Sequence, residues 1–179
     1  CGDDKQAFVP INEFELELMK GSVEDLFAVA RQLTADLPLT LSLAAKAERG
    51  HALLQGHPYS PVRAQPVCLA PGALADDAMS MILGNCLQQF LGNWNSVILT
   101  NDAEGVHQMR VALRRFRSAV SLLDEQQQDL IREQIDRAKH FANVLGGARD
   151  HDVLLSDIVQ PVLEGFGKDI DVSALTDSI

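Results

Sequence analysis

The spacing of apolar side chains changes after the first third of the chain. From about residue 76 onward these side chains recur every three or four positions, which indicates one buried face on each of several α-helices. The pattern and its breaks predict helices over 76–99, 102–123, 125–145 and 149–165. We therefore expect a mainly α fold, with an antiparallel four-helix bundle in this part of the chain. Its predicted core includes Phe90, Trp94, Met109, Leu113, Phe116, Phe141 and Leu145.

Two features are predicted at the start of the last helix. Gly146–Gly147 is predicted to stop the helix before it, because glycine is frequent just beyond helix C-termini. The acidic residues that follow in "RDHD", Asp150 and Asp152, are predicted to cap the next helix. Adjacent side chains on a helix point about 100° apart, so this run is not expected to chelate one metal ion.

The first part of the chain has a two-residue period instead. Residues 13–19 alternate acidic and apolar side chains, which predicts a strand with a carboxylate face of Glu13, Glu15 and Glu17. An unpaired strand edge promotes association, so we expect this strand to pair with another segment or another chain. The next segment, "GSVEDLFAVARQLTADLP", predicts a helix with Ser22 as its N-cap. The segment "SLAAKAERGHALLQG" fits either a strand or a helix.

A proline-rich stretch separates these two parts. "HPYSPVRAQPVCLAPG" holds four of the seven prolines, and proline removes an amide donor and fixes φ. We therefore predict three parts: an N-terminal part over 1–57, an extended linker over 58–75 and a helical domain over 76–179.

Positive charge is concentrated on the predicted helix 102–123. Four basic residues recur on this helix with the same spacing as its apolar residues, each one position later in the chain. We call them the basic stripe: His107, Arg110, Arg114 and Arg117. At about 100° per residue the basic stripe lies at the rim of the core, beside a neighbouring helix. Arg115 lies outside the stripe and is expected to point to water.

Two interpretations of the basic stripe remain open from spacing alone. The arginines can pair with carboxylates of other helices, or they can bind an external polyanion. Residues 105–123 contain no Asp or Glu, so the arginines have no i,i+4 partner within the helix. Arginine fits phosphate oxygens in a bidentate manner, which favours a phosphate ligand. On the third helix, Arg132 and Lys139 share a face and form a weaker candidate of the same kind, alongside the alternative of a mixed solvated face.

Composition excludes several classes of protein. The net charge of −10 and the aromatic content of 5% are poor for nucleic-acid binding. No apolar run reaches the roughly 18 residues that a membrane span needs. Three scattered cysteines suggest reduced thiols, so we expect a cytoplasmic protein. No standard hydrolase or nucleotide-binding motif is present.

Two stretches, "VHQMRVALRRFRSAV" and "LGGARDHDVLL", resemble the CHAD domain, the conserved-histidine α-helical domain. The resemblance covers residues 76–179, which correspond to one half of such a domain. It implies half of a helical bundle that binds inorganic polyphosphate through basic side chains facing a groove. The residues that it assigns to binding are His107, Arg110, Arg114, Arg117, Lys139 and Arg149.

The N-terminal segments "NEFELELMKGSVEDLFAVARQL" and "SLAAKAERGHALL" resemble the end of a CYTH, or triphosphate tunnel, domain. This resemblance implies a small β/α remnant of a barrel that hydrolyses triphosphate with a divalent metal, Mg²⁺ or Mn²⁺. In an intact barrel, Glu13, Glu15 and Glu17 would belong to the metal-binding acidic strand. A single strand cannot close a barrel, so no catalytic residue is assigned and the chain alone is expected to be inactive.

The leading hypothesis is a polyphosphate-binding helical module attached to an incomplete CYTH domain, with no cofactor for the helical part. The alternative is a piece of an inorganic triphosphatase. A homodimer through the N-terminal strand or the half-bundle also remains open.

Overall fold

The computed structural model describes residues 12–166, and the chain divides into two compact units, one up to Pro58 and one from Tyr59 on. The helices of the first unit are α1 (Val23–Asp36) and α2 (Lys46–Leu54). Those of the second unit are α3 (Ala75–Gly92), α4 (Trp94–Thr100), α5 (Ala103–Val120), α6 (Glu125–Leu130), α7 (Arg132–Val153), a π-helical turn (Leu154–Val159) and α8 (Gln160–Phe166). The predicted mainly helical fold is confirmed.

The prediction of a strand over residues 13–19 is wrong. This segment has no strand, and residues 12–166 contain none with which it could pair. Alternation specifies two faces, but a strand also needs a hydrogen-bonding neighbour. The helix after it forms as predicted, since Ser22 and Asp25 make a reciprocal capping box. The segment left open between strand and helix is helix α2.

Helix α5 lies between α3 and α7 and packs against both. Its apolar series faces inward as predicted, because Met109 is 3% and Leu113 8% exposed. Phe116 is half-buried, as are Phe90 and Trp94 on the neighbouring elements. Phe141 stays 41% exposed, so the core is open on that side. The predicted register of α5 is therefore right, and the basic stripe lies where that register puts it.

Asn93 breaks the helix predicted over 76–99 into α3 and α4. Its side chain is fully buried and exchanges two hydrogen bonds with the backbone of Val62, each 2.8 Å long. The same amide donates a third bond to the Gln89 carbonyl oxygen at 2.7 Å. These bonds attach the proline-rich segment to the junction of α3 and α4. Residues 59–74 are irregular in conformation, and the hydrogen bonds of Val62 fix this segment to Asn93.

The boundaries predicted for the helices over 125–145 and 149–165 are also wrong. A break at Ile131 separates α6 from α7, and α7 then passes through Gly146–Gly147 without stopping. Neither glycine has the positive φ of a C-terminal cap, so both continue the helix. Asp150 and Asp152 consequently lie inside α7, and the prediction that they are caps is wrong. The π-helical turn comes just before Pro161, which cannot donate the bond that a regular α-helix requires there.

The four-helix bundle is not confirmed. Among the described residues, α5 packs against both α3 and α7, and α4 packs against α5. The segment predicted as the fourth helix instead continues α7 and packs mainly against the preceding turn. Without a break at the two glycines, the chain does not fold back onto the other helices within the described part.

A row of buried polar side chains, here called the polar ladder, joins α3 to α5. Gln89 donates to Gln108 at 2.9 Å, and Gln108 donates to Glu104 at 2.8 Å. At the other end Arg115 donates to Gln89 at 2.8 Å and to Asn85 at 2.7 Å. Gln89 and Gln108 are buried, so each side chain needs these partners and the ladder fixes the antiparallel register of the two helices.

Replacing Asn93 by Ala should destabilise the second unit. Three hydrogen bonds are lost, which should lower the free energy of unfolding by about 2–3 kcal/mol in urea denaturation. Asn95→Ala is the matched control, because Asn95 is only half-buried and should cost less than about 1 kcal/mol. Equal losses for the two variants would show that the bonds to Val62 and Gln89 do not hold the linker.

Candidate functional site

A groove of about 560 Å³ runs between α5 and α7. One wall is the basic stripe with Val111. The other wall comes from α7 and contains Ala142, Asn143, Gly146, Gly147, Arg149 and Asp150. Five of the six residues predicted to bind polyphosphate therefore line one cavity: His107, Arg110, Arg114, Arg117 and Arg149.

The position of the basic stripe follows from the burial of its neighbours along α5. Val106, Met109 and Leu113 each precede a stripe residue by one position, and all three are buried. The next residue in each case is rotated by about 100°, to the edge of that buried face. His107 and Arg110 are half-buried near the start of α5, whereas Arg114 and Arg117 are exposed. The groove thus has a deeper end and an open end.

Four arginines of this groove, here called the groove arginines, lack a carboxylate partner: Arg110, Arg114, Arg117 and Arg149. None of them lies within 4.0 Å of a carboxylate oxygen of the described residues. Elsewhere in the second unit arginines do pair, as Arg63 with Glu104 at 3.6 Å and Arg137 with Glu133 at 2.6 Å. Within the described part, the interpretation that carboxylates of other helices neutralise the basic stripe therefore fails.

The only polar contact of Arg110 within the described residues is a long hydrogen bond from its Nη1 to the Ala142 carbonyl oxygen, 3.4 Å away. That bond places the guanidinium across the groove, against the α7 backbone. No hydrogen bond to another described residue engages the guanidinium groups of Arg114 and Arg117. The groove therefore offers several N–H donors to an anionic ligand.

Two predicted basic residues lie outside the groove. Lys139 donates to Asp136 at 3.0 Å on the exposed surface of α7, and Arg132 pairs with Asp129. Neither lines the cavity. Conversely, Asn143 and Asp150 line it and were not assigned to the site from sequence. They are three and four residues from Gly146, so they lie on the same face of α7 as this glycine. Sequence reasoning could have found them only by knowing that α7 continues past Gly146–Gly147.

Arg115 was expected to point to water, and this is wrong. It is half-buried and ends the polar ladder on Gln89 and Asn85 of α3. Adjacent residues of α5 thus face different neighbours, Arg114 the groove and Arg115 the helix on the other side.

The three glutamates proposed for a metal site lie in the first unit, where Glu13 and Glu15 are paired with cations. Glu13 contacts Arg49 and also Lys46 at 3.0 Å, and Glu15 contacts Lys46 at 2.8 Å. The hydrogen bonds from Arg49 and then from Lys46 hold the pKa of the Glu13 carboxyl below its usual range. Glu17 is exposed and forms no ion pair with another described residue. Residues 12–166 contain no group of three potential metal ligands, so a metal role for these glutamates remains a prediction for an intact barrel.

None of the described helices combines the length and the apolarity needed to span a membrane.

Comparison with known proteins identifies the family of the second unit. The family model of the CHAD domain matches residues 81–176. An uncharacterized protein of Mycobacterium tuberculosis (strain CDC 1551 / Oshkosh) is 32% identical over 151 residues, which cover 79% of the chain and 27% of that protein. The chain thus spans about a quarter of the length of this relative. No solved structure gives a match. Because the family model covers more than half of its length, the chain belongs to the CHAD domain family.

Proposed function

We propose that the helical unit binds inorganic polyphosphate in the groove between α5 and α7. The observation that carries the proposal is the set of groove arginines, which have no carboxylate partner within residues 12–166, in a chain of net charge −10. Like charges one helical turn apart repel by about 0.2–0.5 kcal/mol per pair, and a bound polyanion would remove that cost. Arginine is also the side chain best shaped for phosphate oxygens.

The shape of the site favours a linear ligand over a compact one. The basic stripe runs from His107 to Arg117, a rise of about 15 Å along a helix at roughly 1.5 Å per residue. A single phosphate contacts one or two of these side chains, whereas a phosphate chain can contact all of them at once. Contacts made by one linked molecule reinforce each other, so affinity should rise with chain length until the stripe is spanned.

We further propose that the unit belongs to a larger protein with a CYTH domain on its N-terminal side. The similarity to the mycobacterial protein covers more of the chain than the CHAD region, so it extends into the N-terminal part. In such a protein the helical unit would hold or deliver polyphosphate beside a triphosphatase barrel, which would use Mg²⁺ or Mn²⁺. The metal-binding role of Glu13, Glu15 and Glu17 belongs to that barrel.

The alternative function, inorganic triphosphatase activity of the whole protein, is tested by phosphate release. The full-length protein should release phosphate from tripolyphosphate with Mg²⁺, while residues 59–179 should release none. Absence of release from the full-length protein would exclude the enzyme and leave the binding proposal intact.

Polyphosphate should raise the melting temperature of the protein, because a ligand of the native state stabilises it. The shift should grow from orthophosphate to tripolyphosphate to longer chains. It should shrink between low and high salt, since the contacts are charge-based. A nucleic-acid oligomer with as many phosphates serves as the control, and an equal shift with it would show unspecific attraction of polyanions.

Arg114→Ala should weaken polyphosphate binding without unfolding the protein. A lost charge-assisted hydrogen bond is worth about 1.5–3 kcal/mol, so Kd should rise roughly 10- to 100-fold. The control is Arg137→Ala, which removes the same charge from α7. Arg137 is nine residues from Gly146, so it points to the opposite side of that helix, and its loss should leave Kd unchanged. Equal losses at the two positions would mean diffuse electrostatics rather than a site.

The variant Arg115→Ala tests whether the arginine next to Arg114 has a structural role rather than a role in binding. It should lower the free energy of unfolding by about 1–3 kcal/mol, because it leaves the side-chain oxygen of buried Gln89 without its donor. The folded variant should bind polyphosphate as the wild type does. A loss of affinity equal to that of Arg114→Ala, at temperatures where both variants are folded, would place the ligand elsewhere than the groove.

A further inference from the structure

Gly146 lies directly beneath the guanidinium of Arg110. A Cβ atom built on this glycine would be 2.8 Å from Arg110 Nη1, closer than two such atoms approach without displacement. The next residue, Gly147, also lines the groove, but a Cβ there would meet nothing within 4 Å. The two glycines therefore differ sharply, although they are neighbours on one helix.

A glycine within a helix normally lowers stability relative to alanine, so two in succession call for a reason. Both keep helical backbone angles, and neither ends α7. The backbone conformation therefore does not require glycine at position 146. What Gly146 provides is space, since the missing side chain lets Arg110 lie flat against the α7 backbone and bond the Ala142 carbonyl oxygen.

We propose that Gly146 is a positioning residue that holds Arg110 across the floor of the groove. This inference rests on the proposed function, in which Arg110 contacts the polyanion. Any side chain at this position would push the flexible end of Arg110 outward while leaving the helices in place. The anion would then lose a donor at the deep end of the groove, where the guanidinium is half-buried.

The position of Arg110 can be measured without any polyanion. Phenylglyoxal modifies accessible arginines, and peptide mapping gives a separate rate for each one. Gly146→Ala should raise the rate at Arg110 several-fold, towards that of the exposed Arg114. Gly147→Ala, the matched control, should leave it unchanged. An unchanged rate in the Gly146→Ala protein would overturn the inference.

Binding of a long polyphosphate chain then tests the consequence. Gly146→Ala should raise Kd about tenfold, the loss of one arginine contact, and Gly147→Ala should not change it. The same glycine change made in an Arg110→Ala protein should cost nothing further, because the side chain through which it acts is gone. A purely structural effect would instead persist in that background and would refute the positioning role.

The two proposals fail in different ways. If the wild type does not bind polyphosphate at all, the proposed function is wrong, and the labelling rates still decide whether Gly146 positions Arg110. If the wild type binds and Gly146→Ala binds equally well, the proposed function stands and the positioning role is wrong.

Discussion

Unneutralised positive charge between α5 and α7 is the constraint on which the rest of this structure depends. The groove arginines lack carboxylate partners among the described residues. Three of them, Arg110, Arg114 and Arg117, lie on adjacent turns of α5, at a cost of a few tenths of a kcal/mol per like-charged pair. The opposite face of α5 more than offsets this cost. Burial of a side chain such as Met109 or Leu113 contributes about 1.5–3 kcal/mol. The helix can therefore carry an unfavourable charge pattern on one side because its other side anchors it.

Anchoring by apolar contact alone would allow α5 to slide or rotate, and a small rotation would move the arginines out of the groove. The polar ladder prevents this, since Gln89 and Gln108 are buried and their hydrogen bonds form in one register only. Arg115 belongs to the ladder, although it is adjacent to Arg114 in the groove. Two neighbouring arginines thus have different tasks, one fixing the helix and the other facing the proposed ligand.

Features encoded within a single helix could be predicted from the sequence, and features that depend on a partner could not. The inward face of α5, the capping box of α1 and the alignment of His107 with Arg117 follow from local periodicity. The orientation of Arg115 depends on amides of α3, and the break at Asn93 depends on the backbone of Val62, far away along the chain. The pair Gly146–Gly147 has the composition of a helix stop, yet α7 continues through it. Gly146 instead leaves room for Arg110 against the α7 backbone. Residues 13–19 have the alternation of a strand but no described neighbour to pair with.

Binding of polyphosphate along the groove arginines can be tested one side chain at a time. Nuclear magnetic resonance of the arginine Nε–H groups reports each side chain separately during a titration with polyphosphate of defined length. We expect the signals of Arg110, Arg114, Arg117 and Arg149 to shift together and saturate together, while those of Arg115 and Arg137 stay in place. Shifts of similar size at Arg137, or saturation at different concentrations for the groove arginines, would contradict this expectation.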